Sequence, residues 1–110
     1  MNSITLQGHV AKDAVVNLVK NNGIETPLVT FSFIDMGLPY QKNEPMYIEV
    51  HFMKEAAMHI VKYLRKGKEI TVMGCLRSKI YITQSGEQKQ KYFVSADFIT
   101  LSGAAPKKDE

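Results

Sequence analysis

A chain of 110 residues that is 45% hydrophobic and 23% charged has room for one globular domain, because domains usually take roughly 100 to 200 residues, and a two-domain enzyme is excluded. Its net charge of +3 is unevenly spread: residues 1–61 carry −2, whereas residues 62–91 carry +6, a balance that favours a polyanionic partner for the second segment. The apolar runs are too short to cross a bilayer, the opening MNSITLQGHV has no basic stretch ahead of an apolar core, and the lone Cys75 has no internal disulfide partner, so a soluble protein of the reducing cytoplasm, without membrane contact, is expected.

Ile4, Leu6, Gly8 and Val10 alternate with polar or small residues, the period-two signature of a first strand. Asn21, Asn22 and Gly23 form a turn cluster, after which Val29, Phe31 and Phe33 alternate with Thr30 and Ser32, which predicts a second strand paired with the first as a hairpin. A polar loop of about nine residues, broken by Gly37, Pro39 and Pro45, follows and carries one aromatic, Tyr40. In the third strand Met46, Ile48, Val50 and Phe52 take one face and Tyr47, Glu49, His51 and Met53 the other.

The period then changes. Ala57, Ile60, Val61 and Leu64 recur at helical spacing, predicting a three-turn helix with one buried stripe that stops at Gly67. Ile70, Val72, Leu76, Ile80 and Ile82 mark the core face of a long fourth strand in which Gly74 permits a bend or bulge. Gln84, Ser85 and Gly86 open a hairpin loop, and residues 92–101 make a fifth strand. The expected fold is all-β with one helix: a five-stranded oligonucleotide-binding (OB) barrel over residues 1–103 with the helix between strands three and four, and a short disordered tail at 104–110.

With even residues of the fourth strand assigned to the core, Arg77, Lys79 and Tyr81 share the opposite face, spaced about 7 Å apart at roughly 3.3 Å per residue. Cations alternating with a ring match a nucleotide chain, in which phosphates alternate with bases. Tyr47 and His51 on the third strand, Tyr40 with Lys42, and Lys89 with Lys91 in the flanking segments are placed around the same groove. Tyr63 and Tyr92 are expected to be packing residues, and Cys75 a structural one. The histidines and Cys75 fall in no zinc-ligand spacing, so neither metal nor cofactor is expected. The carboxylates Asp13, Glu25, Asp35, Glu44 and Glu49 are isolated in sequence, which argues against a two-metal nuclease.

The order NSITLQGHVAKD, YIEVHF, KYLRKGKEITVMGCLRSKIY and QSGEQKQKY over residues 2–103 resembles the bacterial single-stranded-DNA-binding protein family. The resemblance implies base-stacking rings at Tyr40, Tyr47 and Tyr81, with Met53 where the family has phenylalanine. It implies a homo-oligomer, dimer or tetramer, although Ile48 stands at a position where the family has an interface histidine. The ending PKKDE lacks the family's acidic recruiting tail, and a compact member resembling plasmid, phage or primosomal replication protein N types is implied. The expected function is non-enzymatic, sequence-independent binding of single-stranded DNA in replication, recombination or repair, with replication or recombination proteins as further partners. The competing expectation is a primosome-type adaptor acting mainly through protein contacts.

Overall fold

The computed structural model describes residues 1–37 and 44–101, and for Asn21 the backbone alone. Six strands run as β1 (Ile4–Val10), β2 (Val15–Asn21), β3 (Ile24–Asp35), β4 (Met46–Phe52), β5 (Glu69–Ile82) and β6 (Gln88–Leu101), with a short helix α1 (Ala57–Ile60) between β4 and β5. Their order is β1-β5-β6-β4-β3-β2, and an extra β1–β3 pairing at His9↔Ile34 and Val10↔Phe33 closes the ring. The result is a barrel of OB type, with a core of Val10, Val29, Phe31, Phe33, Val50, Phe52, Leu64, Ile70, Val72 and Val94.

The first expected strand is β1, and a strand that was not expected, β2, follows it. β1 pairs with β5 as far as His9, and β2 then pairs with β3 in a hairpin. This corrects the expected hairpin between the first strand and the Val29–Phe33 strand, which meet only at the ring closure. The turn at Asn22 and Gly23 has both residues at positive φ, the type I′ geometry whose twist matches that of the strands it joins. The segment 11–14 between β1 and β2 is stitched to the end of the helical region. Ala14 N–H donates to Leu64 carbonyl at 2.9 Å, Gly67 N–H to Val10 carbonyl at 2.8 Å, and Lys66 N–H to Asp13 Oδ1 at 2.7 Å.

The expected three-turn helix is also corrected. α1 has four residues and continues as a 3-10 turn over Val61–Tyr63. Ala57 and Leu64 are buried, while Ile60 and Val61 are only half covered. A single helical turn with two buried ends suffices here because the stitching to residues 10–14 satisfies backbone groups that a longer helix would satisfy internally. Gly67 does take a positive φ, as a residue closing such a segment requires.

Gly74 lies at a bulge, as expected. The β5–β6 register shifts between Met73↔Phe98 and Gly74↔Ala96, so the extra residue is Asp97 on β6. Beyond it the assignment of even residues to the interior fails: Leu76 is exposed, and Ile80 and Ile82 are 60% and 72% exposed. β1 accompanies β5 only to the Ile4↔Gly74 pair, and β4 accompanies β6 only over Glu49↔Phe93 to His51↔Ser95. Residues 77–82 and 88–92 therefore project as a two-stranded arm with no barrel interior beneath them. Tyr92, expected to pack, is exposed on this arm, and Tyr63, also expected to pack, is exposed on the 3-10 turn.

Two glycines are required by close backbone approach. A Cβ on Gly8 would collide with the Ile34 carbonyl oxygen and lie 2.9 Å from the Phe33 ring, and one on Gly74 would collide with the Ser95 carbonyl oxygen. Gly8→Ala and Gly74→Ala should each lower stability by roughly 1–3 kcal/mol, as overpacking does. Thermal or urea unfolding checks this, and wild-type stability in both variants would contradict it.

Candidate nucleic-acid interface

Residues opposite one another in register share a face of the sheet. Across β5 and β6 the pairs are Arg77↔Phe93, Lys79↔Lys91 and Tyr81↔Lys89. Across β6 and β4 Glu49 lies opposite Phe93 and His51 opposite Ser95, and across β4 and β3 Ile34 lies opposite Tyr47 and Ser32 opposite Glu49. One outward face thus runs from β3 through β4 and β6 to β5. It carries the rings of Tyr47, His51, Phe93 and Tyr81 together with Arg77, Lys79, Lys89 and Lys91.

The expected grouping of Arg77, Lys79 and Tyr81 is present, and all three are exposed. Tyr47 is 62% exposed and Tyr81 45%, which leaves ring surface open to a ligand. Lys89 and Lys91 are exposed on the paired strand. Met53 is exposed one residue beyond β4, about 20 Å from Tyr47 along an extended chain, so it lies at the far end of the face. Tyr40 and Lys42 lie outside the described residues.

Phe93 was not expected from the sequence as a contributor. Phe93 stacks on His51 with ring centroids 4.3 Å apart and planes at 23°, and Lys79 Nζ lies 6.0 Å from the Phe93 ring centre. His51, expected beside Tyr47 around the groove, is half-buried as part of this platform. Beside it an open groove of about 440 Å³ is lined by residues including Lys12, Asp13, Ser32, Tyr47, Glu49 and Lys91. Aromatic enrichment in the sixth strand was visible in the sequence, but the parallel register that sets Phe93 beside His51 leaves no local signal.

Among the described residues, Glu49 is the one carboxylate in the middle of this face. Its Oε1 lies 3.3 Å from Lys91 Nζ and its Oε2 lies 3.2 Å from His51 Nε2. Partial burial works against the carboxylate, but the contacts and charges of His51 and Lys91 outweigh it and hold its pKa below the ordinary glutamate value. Neither contact is well aligned, for Glu49 Oε1 and His51 Nε2 are buried without a geometrically satisfied hydrogen bond. The attraction is that of ion pairs more than of directed bonds. Among the described residues, no three His, Cys, Asp or Glu side chains converge as a metal site requires.

Comparison with known proteins places these features in a family. The model of the single-strand binding protein family matches residues 1–102. A single-stranded DNA-binding protein of Corynebacterium glutamicum is 29% identical over 70 residues, which are 64% of this chain and 31% of that protein, so the match spans about a third of the relative's length. Among solved structures, a Plasmodium falciparum SSB in complex with ssDNA superposes with a TM-score of 0.75 at 19% identity, covering 94% of this chain and 96% of that one. A small single-stranded DNA-binding protein from Streptomyces coelicolor superposes with a TM-score of 0.73 at 19% identity, covering 92% and 94%. At such identities the superpositions speak for the shared barrel, while the match along almost the full sequence carries the kinship: this chain belongs to the single-strand binding protein family.

Proposed function

We propose that this protein binds single-stranded DNA without sequence preference, along the face that joins β4, β6 and β5, and does so without catalysis. The observation that carries this reading is the interleaving of exposed rings and cations on one continuous surface. Tyr47 and Tyr81 stack bases, the His51–Phe93 platform supports a further one, and Arg77, Lys79 and Lys89 meet phosphates. Stacking contributes roughly 1–3 kcal/mol per base and tolerates any base, because each has a π-face. Phosphate neutralisation releases counterions and is likewise indifferent to sequence. Single strands suit this surface better than duplex, whose bases are stacked on one another and unavailable to Tyr47 or Tyr81. Family membership and the names carried by relatives support the same reading. The cellular role that follows is protection of single strands in replication, recombination or repair, in the cytoplasm. Tyr40, Lys42 and Met53 also belong to the proposed contact set.

Self-association is the second part of the proposal. The arm's other face presents Leu76, Ile80, Ile82 and Tyr92, all exposed, and a contiguous apolar face of this kind is unusual on a protein that works alone. A dimer or tetramer covers it. No helix among the described residues is long and apolar enough to cross a membrane, so a lipid bilayer has no helical claim on that surface.

Tyr47→Ala and Tyr81→Ala should each weaken binding to an oligo-dT strand by roughly 1–3 kcal/mol. Arg77→Ala should make the slope of log affinity against log salt shallower by about 0.7. Anisotropy titrations at several salt concentrations, with duplex DNA in parallel, check both, and equal affinity for duplex would refute the reading. Labelled strands should stay intact in magnesium. Sedimentation of wild type should give an oligomer that the Ile80→Ser, Ile82→Ser double variant dissociates; a monomeric wild type would end that part of the proposal.

A further inference from the structure

The cationic face contains a charge of the wrong sign for its ligand, and the geometry around it is specific. Glu49 lies between His51 on its own strand and Lys91 on β6, with each carboxylate oxygen within 3.3 Å of a nitrogen. Across β6 and β5, Lys91 lies directly opposite Lys79, and like charges directly opposite on antiparallel strands repel. From β3, the residue facing Glu49 is the uncharged Ser32. Among the described residues, the other charged side chains of the adjoining groove are Lys12 and Asp13. Asp13 is engaged by Arg65 and by the Lys66 backbone, which leaves Glu49 as the anion that answers Lys91.

Resting on the DNA-binding reading above, we infer that Glu49 is an internal competitor for the phosphate backbone: it holds the charge of Lys91, so that this lysine adds no net phosphate contact and the affinity of the face is set lower than its count of cations implies. A phosphate reaching Lys91 must share it with a carboxylate about 3 Å away, where repulsion between the two anions offsets what the lysine contributes. Counterion release makes the same point, because a lysine already neutralised by a fixed carboxylate has fewer condensed ions to exchange with a strand. The centre of the face, from Tyr47 to Phe93, is thereby left to bases, and phosphates are directed to Arg77, Lys79 and Lys89 along the arm. Glu49 in this role is a positioning residue that sets where the backbone of the strand runs and how readily the strand is released.

The test is a salt titration of oligo-dT binding by wild type, Glu49→Gln, Lys91→Gln, and the two combined, with circular dichroism to verify the fold of each. Glu49→Gln should steepen the slope of log affinity against log salt by about 0.7, one additional single-strand contact, which at 0.1 M salt is about fivefold tighter binding. Adding Lys91→Gln should cancel that gain. Binding by Glu49→Gln that is unchanged or weaker, or a gain that persists when Lys91 is also replaced, overturns the inference while leaving the DNA-binding reading intact. Absence of salt-dependent binding in the wild type overturns that reading, and this inference with it. Should a glutamine variant lose its fold, Glu49→Ala with and without Lys91→Ala repeats the comparison with smaller side chains, and the same two outcomes decide it.

Discussion

Three residue pairs hold the two halves of the candidate site together. Glu49, Val50 and His51 of β4 pair in parallel with Phe93, Val94 and Ser95 of β6, and this contact both closes the barrel and sets the rings of β4 beside the cations of β6 and β5. Parallel pairing is slightly weaker per residue than antiparallel and is usually buried on both faces. Here Val50 and Val94, both fully buried, supply the apolar anchor on the inner side. On the outer side the His51–Phe93 stack and the Glu49–Lys91 ion pair cover the joint. Stability and site geometry depend on the same few residues, because the strands that close the barrel present the ligand face with their alternate side chains.

The β5–β6 arm depends on that closure in a different way. A two-stranded hairpin is marginally stable by itself in water, so the arm has to be rooted. Asn2 does part of this: its side-chain amide accepts from the Leu76 N–H at 2.7 Å and donates to the Leu76 carbonyl at 3.1 Å, extending the β1 ladder by a side chain. The bulge at Asp97 sets the direction in which the arm leaves the barrel, and Gly74 lets the two backbones approach at that point. At the tip, Thr83 N–H donates to the Glu87 carbonyl and Gly86 N–H to the Thr83 carbonyl, closing the loop. The arm is thus ordered at both ends and has a free face on each side, one polar and aromatic, the other apolar.

Much of this architecture is legible in the sequence, and the parts that are not share a cause. Alternation along residues 46–52 and 77–81 fixes which side chains emerge together, since strand geometry leaves no other option. The Asn22-Gly23 turn and the Gly74 bulge follow from local backbone chemistry. The strand over Val15–Asn21 escapes notice because Val15-Val16-Asn17-Leu18-Val19 has apolar residues on both faces and so lacks a period of two. Ile80 and Ile82 mislead in the opposite direction: their period is right, but whether a strand has a core beneath it depends on where its neighbours end. The helix fails for a similar reason, as hydrogen bonds from residues 10–14 replace turns that periodicity alone would extend. Phe93, His51 and Glu49 come together only through the β4–β6 register, a contact across more than forty residues of chain that no window of sequence encloses.

The electrostatics of the face reverse the usual order of preference between stability and function. A surface arranged for stability would place Glu opposite Lys79, whereas this chain places Lys91 there and sets the carboxylate one strand further on, at Glu49. The like-charge pair costs the free protein a few tenths of a kcal/mol or more, and an anion lying along the arm removes that cost at the moment of binding. In the proposed complex, part of the affinity for a polyanion is then relief of repulsion already present in the fold, and the ion pair at Glu49 limits how much repulsion the fold must hold. Arg77, Lys79 and Lys89, exposed on the arm's polar face, are well hydrated and screened by salt. On the proposed reading their contribution to binding falls steeply with ionic strength, whereas that of the stacked rings does not. On the proposed reading, the balance between the two sets how strongly a strand is held at a given salt concentration, and Glu49 stands where the two kinds of contact meet.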